Sequence, residues 1–347
     1  MGIATGRLAL AFSLCAGSPA LADDVADFYR GKTITLVISV GEGDGMDQAA
    51  RLIARHWSNH LPGKPSFIAK NMPGAGSLLA TNFIYNQASR DGTVIGAIIP
   101  AFVMQQMLGG TGVNYDAAKL RWIGSSNKSN PTVYVWHETG VTSLQQAKDR
   151  QILLGGTGVG SNSVHYPMIL NHIAGTKFKV VMGYRSAPEV NLAVQRGEVH
   201  GRAGETFNTL MLNSAALVRD RKLNILVQIG DEKERGFDTI PLLTDFAPDD
   251  ASRQVLQLFS DEISLGRPYI APPDIPADRL EALRSSFDDA MKDPTLLADA
   301  KTIRLDIVPA TGARLEQTVT RMLAIKGDVL ARAKTAMESD EETKKPN

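Results

Sequence analysis

Residues 37–57 read VISVGEGDGMDQAARLIARHW, the end of an apolar strand, an acidic glycine-rich loop and the start of an amphipathic helix. Three kinds of glycine loop occupy such a position, and each makes a spacing demand that fails here. The glycines stand at Gly41, Gly43 and Gly45, whereas a dinucleotide turn needs its third glycine one residue later and an acidic residue closing a second strand about 20 positions on. The GKT at Gly31 to Thr33 lies before the strand, and Ala26 stands where a nucleotide P-loop needs its first glycine. Glu42 and Asp44 imitate the first two ligands of a calcium loop, but Met46 takes the third place and Ile53 that of the bidentate glutamate.

What remains is a helix entry that carries free backbone N–H groups. Ala50, Ile53, Ala54, Trp57 and Leu61 recur at helical spacing, so Asp47 is expected to cap the helix and the loop to present its donors to an anion. A second loop repeats the design. LLGGTGVGSNSVHYPMIL runs from a strand through Gly155, Gly156, Gly158 and Gly160 to Ser161, Asn162 and Ser163, with Pro167 expected in the next helix's first turn.

Between and beyond these loops, short apolar runs alternate with helical periodicity, which predicts an α/β fold with largely parallel sheets. TITLVIS, SFIAKN and TVIGAII read as strands of one sheet, and TVYVWHE, ILLGG, KVVMGY and NILVQIG as strands of another. Helices are expected near Asp47, Gly76, Ser163 and Ala187, from Pro276 to Met291 and from Gly312 to about Ala336. The order implies two lobes, the first built from residues 23–125, the second from 126–264, with 265–347 returning to the first lobe and ending in a charged, frayed tail. Crossings are expected near Gly124 to Pro131 and near Leu258 to Gly266, and two lobes so joined enclose a cleft.

Residues 1–22 have the form of a secretory signal: Arg7, an apolar stretch from Leu8 to Ala16, and Ala20-Leu21-Ala22 before the expected cut. The only cysteine, Cys15, lies inside it, so stability must come from a core rather than disulfides. With 37 basic and 37 acidic residues, nothing points to nucleic acid or a membrane surface. The expected setting is the periplasm.

The chain resembles the Bug-type periplasmic substrate-binding proteins of tripartite tricarboxylate transporters. The resemblance rests on GDGMDQAARLIARH, NMPGAGSLLATNFIYN, DGTVIGAI, TGVGS, RGEVHGRAG and LGRPYIAPPDIPADRLEALR, which follow one another in the family's order. It implies a two-lobed type II periplasmic binding fold with two crossover hinges, closing on a small organic carboxylate and handing it to a membrane permease. It implies a monomer, no cofactor, no metal and no catalytic step. The ligand's carboxylate would be held by the first loop, here Val40, Gly41, Gly43, Asp44, Gly45 and Asp47, and by the second, here Thr157, Gly158, Gly160, Ser161, Asn162 and Ser163. Two departures bear on specificity: the first loop carries Glu42 and Asp44, and RGEVHGRAG has His200 and Gly204 where many relatives have aspartates.

Other residues have both a structural and a functional reading. Tyr184, Arg185 and Arg202 follow or end strand-like segments and can reach an interlobe cleft, with Glu205 as a further polar partner, although a surface arginine is the default. His56 and His60 share a helix face without a zinc-site pattern. Ser161, Ser163 and His165 lack a nucleophile elbow, so an exported hydrolase is disfavoured. NMPGAGS serves as a tight turn or as a ligand loop. A sensor subunit presenting the same ligand to a receptor would use the same cleft.

Overall fold

The protein is described from a computed structural model that covers residues 20–157, 161–184 and 187–337. The Leu8 to Ala16 stretch with Cys15, the residues Gly158, Gly160 and Arg185, and the tail from Glu338 lie outside these residues. After α1 (Ala20–Tyr29), the first half runs β1 (Thr33–Ile38), α2 (Gly45–His60), β2 (Ser66–Asn71), α3 (Leu78–Asn86), β3 (Val94–Ala97), α4 (Ala101–Met107) and β4 (Arg121–Ser125). There follow β5 (Pro131–Trp136), β6 (Ile152–Gly156), α5 (Asn162–Ile169), β7 (Phe178–Met182), α6 (Ala187–Gln195), β8 (Gly201–Thr206), α7 (Phe207–Arg219) and β9 (Leu223–Gln228). The last part is α8 (Asp250–Ser264), β10 (Pro268–Ala271), α9 (Ala277–Ala290), α10 (Pro294–Thr302), β11 (Ala310–Thr311), α11 (Gly312–Ala324) and α12 (Asp328–Met337).

The strands form two mixed sheets, ordered β11-β4-β10-β3-β1-β2 and β7-β6-β8-β5-β9. Without the short β11, the two orders match strand for strand. In each, one antiparallel strand stands among parallel ones, β10 in the first and β5 in the second, and it is the strand that the chain enters on arriving from the other sheet. The parallel parts explain why β1 reads as a continuous apolar run: Ile34, Leu36, Val37 and Ile38 are buried, covered by helices.

Strand order reverses beside β1, which pairs with both β2 and β3, and beside β6, which pairs with both β7 and β8. At such a reversal the following loops diverge and leave a crevice at the strands' carboxyl ends. The helices after β1, β3, β6 and β8 therefore begin around one opening.

Packing fixes these helices against their sheets. On α2, Trp57 is fully buried, donates from Nε1 to Ser286 Oγ at 2.8 Å and meets Tyr269 and Phe287 edge-on. His56 and His60 approach Asp299 and Asp293, respectively, each at 2.9 Å, and so tie α2 to α10. The expected helix from Gly312 is broken into α11 and α12, where Gly327 takes φ 61°. The break lets α12 turn onto α8 and reach α5 of the second sheet, with Arg332 donating to Ser252 Oγ. Pro167 lies in the second turn of α5 rather than its first, and the helix widens into a π-turn at Leu170–Ala174.

Candidate functional site

A cleft of about 460 Å³ lies between the sheets, within the usual range for a small-molecule site. One wall comes from the starts of α2 (Gly45, Gln48) and α4 (Pro100, Ala101), the other from the starts of α5 (Asn162) and α7 (Asn208, Thr209). The ends are closed by the two connections between the sheets, Asn127 and Ser129 on one strand of chain and Glu262, Ile263, Gly266 and Arg267 on the other. The segment Ile303 to Asp306 after α10 completes it. Helix N-termini thus enter from both lobes, each bringing unsatisfied N–H groups and the positive end of a dipole.

The first loop is arranged differently from expectation. Asp44, not Asp47, caps α2: it has extended backbone angles and accepts from the Met46 amide at 2.8 Å. Asp47 lies in the first turn, 3% exposed. Its carboxylate receives the Gly43 amide at 2.9 Å, and Arg51 Nε and Asn71 Nδ2 at 2.8 Å each. Burial alone would raise its pKa, but the hydrogen bonds from Asn71, Gly43 and Arg51 outweigh it and hold the group below the usual carboxylate range. Val40 is tied in as well, its carbonyl accepting from Asn71. Gly41, Gly43, Glu42 and Asp44 are exposed, and none of residues 40–44 lines the cleft. The loop acts on the cleft through Gly45, whose amide and that of Asp47 have no acceptor among the described residues.

In the second loop, Ser163 is buried and binds the loop to itself: Oγ accepts from the Thr157 amide at 3.1 Å and lies 2.6 Å from Ser161 Oγ. Asn162 alone of the described residues of this loop lines the cleft. Its backbone rests on Gly204, where a Cβ would come within 3.0 Å of the Asn162 carbonyl carbon and φ is +84°. A side chain there would crowd the Asn162 backbone and be held at positive φ, which accounts for the glycine, one of the two departures in RGEVHGRAG.

Arg202 and Glu205 are drawn inward. Although three apart on β8, they share a face because the pairing with β5 shifts register at Thr132/Val133. Arg202 Nη1 lies 3.1 Å from Glu205 Oε2 and donates to Asn191 Oδ1 at 2.8 Å, while Tyr134 donates to Glu205 at 2.9 Å. Burial, reinforced by Glu205, holds the Tyr134 hydroxyl far above the usual phenol range. Arg202 Nε has no partner. Tyr184 packs against this cluster's apolar surround and does not line the cleft. NMPGAGS forms a turn with φ positive at Gly74, Ala75, Gly76 and Ser77, pinned by Gln105 and by Ser77 to Ser39.

Sequence reasoning passed over the groups most available to a ligand. Arg267 makes no side-chain hydrogen bond or ion pair among the described residues, and its Nη2 lies 4.0 Å from a Cβ built on Gly45. It therefore faces the start of α2. Asn208 Nδ2 is buried and unpaired at the start of α7. Arg304 projects from the end of α10 and Glu262 lies at the end of α8, both without a side-chain partner among the described residues. Of these, only Glu262 lies within the expected crossing near Leu258 to Gly266, with Arg267 one residue beyond it.

No family model matches the sequence, and no curated protein matches it. Solved structures do match in fold. A TctC solute-binding protein from Polaromonas, without ligand, is 16% identical over 88% of this chain and 99% of its own, with a TM-score of 0.69. An R. palustris protein with adipate is 17% identical over 88% and 97%, with a TM-score of 0.56. MatC from Rhodopseudomonas palustris with bound malate is 15% identical over 88% and 99%, with a TM-score of 0.54.

Proposed function

We propose that a chain with the fold of the TctC and Bug solute-binding proteins does here what its cleft is equipped for: it captures a small organic carboxylate between two lobes and passes it to a tripartite tricarboxylate transporter permease. The observation that carries this reading is the unpaired Arg267 guanidinium beside the start of α2, in a cleft that helix N-termini enter from both sides. Guanidinium and aligned N–H groups suit a carboxylate. The two carboxylate-bound relatives of like fold support the ligand class. The fold is that of non-enzymatic binding proteins, and binding with closure is the whole of the proposed mechanism. We place the first lobe at residues 23–125 with 265–347, the second at 126–264, and the protein in the periplasm after removal of residues 1–22.

Closure has a driving force in view. Ile99 and Ile303 on one wall and Leu212 on the other are 38%, 44% and 50% exposed, and a ligand bridging the walls would bring them out of water. Mass spectrometry of the natively purified protein, followed by calorimetry with the released compound, tests the ligand class. A co-purified carboxylate that binds and compacts the protein in small-angle scattering supports the reading. A tightly bound ligand with no acidic group refutes it.

A further inference from the structure

Arg267 accounts for one end of a ligand, but the same return crossing also carries a carboxyl group. Glu262, in the last turn of α8, lines the cleft, is half-buried and makes no hydrogen bond or ion pair among the described residues. Its neighbours do not neutralise it. Asp261 beside it turns away to Arg321 at 2.9 Å and to Gln257, and Arg267 faces Gly45. Tyr166 on α5 is a titratable group within its electrostatic reach, and it is an uncharged phenol pushed up by burial and by Glu262 itself. Lys128, beside the outward crossing, and Arg314, on α11, are held by Asp231 and Glu232.

We infer that Glu262 reads the far end of the bound carboxylate and selects a ligand that carries an ammonium group there rather than a second carboxylate. This rests on the solute-binding reading above. Among the described residues, the charges lining the cleft are two arginines, Arg267 and Arg304, and two acids, Glu262 and Asp306. They cancel, which suits a zwitterion better than a dianion. Burial pushes the Glu262 carboxyl up to about 7, so an incoming ammonium recovers a strained charge by pairing with it, whereas a second carboxylate meets a like charge. A methyl end gains nothing from the group.

Hexanoate, adipate and 6-aminohexanoate share one chain length and differ only at the far end, which makes them suitable probes for calorimetry on the mature chain at about pH 8. The expected order is 6-aminohexanoate tightest, by about tenfold or more over hexanoate, with adipate weakest. Glu262→Gln should bring the three within about threefold of one another, and Glu262→Asp should keep the order, with urea unfolding verifying that both variants are folded. Adipate binding as tightly as 6-aminohexanoate, or an unchanged order in Glu262→Gln, overturns the inference and leaves the carboxylate reading standing. If none of these compounds and no shorter homologue, such as succinate or 4-aminobutyrate, binds, both fall together.

Discussion

Glu262 also carries a stability prediction that needs no ligand. The carboxyl titrates near 4.5 in the unfolded chain and at about 7 in the folded one, where burial disfavours its charge. Below the unfolded value both states are protonated and the residue costs nothing. Between the two values the unfolded chain loses its proton first, so stability falls as pH rises, and the cost is complete above the folded value. At 1.36 kcal/mol per pH unit the full cost is about 3 kcal/mol, and water in the open cleft reduces it to about 1–2 kcal/mol. Glu262→Gln keeps the shape and removes the charge. The variant should therefore unfold at higher urea than the parent at about pH 8, by about 1–2 kcal/mol, and at the same urea near pH 4.5. Acid-sensitive groups such as Asp47 and Asp231 are common to both proteins and drop out of the difference. Equal stability at both pH values, or a gain of the same size at both, would refute the argument that burial strains this carboxyl.

Four further outcomes follow from the geometry. Arg267→Met should weaken a bound carboxylate by about tenfold to a hundredfold in calorimetry, and Arg267→Lys should recover only part of the loss. Gly204→Ala should cost about 1–3 kcal/mol in urea unfolding, because its positive φ and the Asn162 backbone both oppose a side chain. Asp231, whose burial is outweighed by bonds from Lys128, Ser264 and Arg314, is held at about 2 against 3.8 in the unfolded chain. Its stabilisation is full above 3.8 and disappears toward 2, so Asp231→Asn should cost about 1 kcal/mol near neutrality after solvent screening, with the difference closing as pH falls through that window. Asp44→Ala should destabilise by about 1 kcal/mol as a lost helix cap, while Asp47→Ala should cost more, since it removes a buried acceptor of three bonds, from the Gly43 amide, Arg51 and Asn71.

The sequence discloses what depends on local pattern. SFIAKN and ILLGG coincide with β2 and β6, since an apolar run between turn residues has few other uses. It hides β8, GRAGET, whose two glycines and buried ion pair look nothing like a strand; only the bulge against β5 brings Arg202 and Glu205 to one face. The strands β4 and β10 escape too: the end of β4 falls in the crossing expected near Gly124 to Pro131, and β10 lies in the proline-flanked LGRPYIAPP stretch. Within the site, glycine marked the loops well, and Gly45 and Asn162 do reach the cleft. The choice between Asp44 and Asp47 as cap was beyond the pattern, because two acids three residues apart can exchange the roles of cap and buried acceptor. Glu262, Arg267 and Arg304 belong to the cleft only because distant strands pair, and no spacing rule carries that information.

Arg304 has a consequence for anyone who sets out to harden this protein by selection. Ile303, Arg304 and Leu305 close α10 in the manner usual for a glycine: the Arg304 amide reaches the Lys301 carbonyl, the Leu305 amide reaches Ala300, and Arg304 itself sits at φ 56°. Glycine at this position would relieve about 1 kcal/mol. A heat-challenge library should accordingly return Arg304→Gly among its survivors, and those survivors would have discarded a cation from the mouth of the cleft. Thermal tolerance and ligand capture would be traded at a single codon, so a screen scored on melting temperature alone would select steadily for proteins that fold better and hold less.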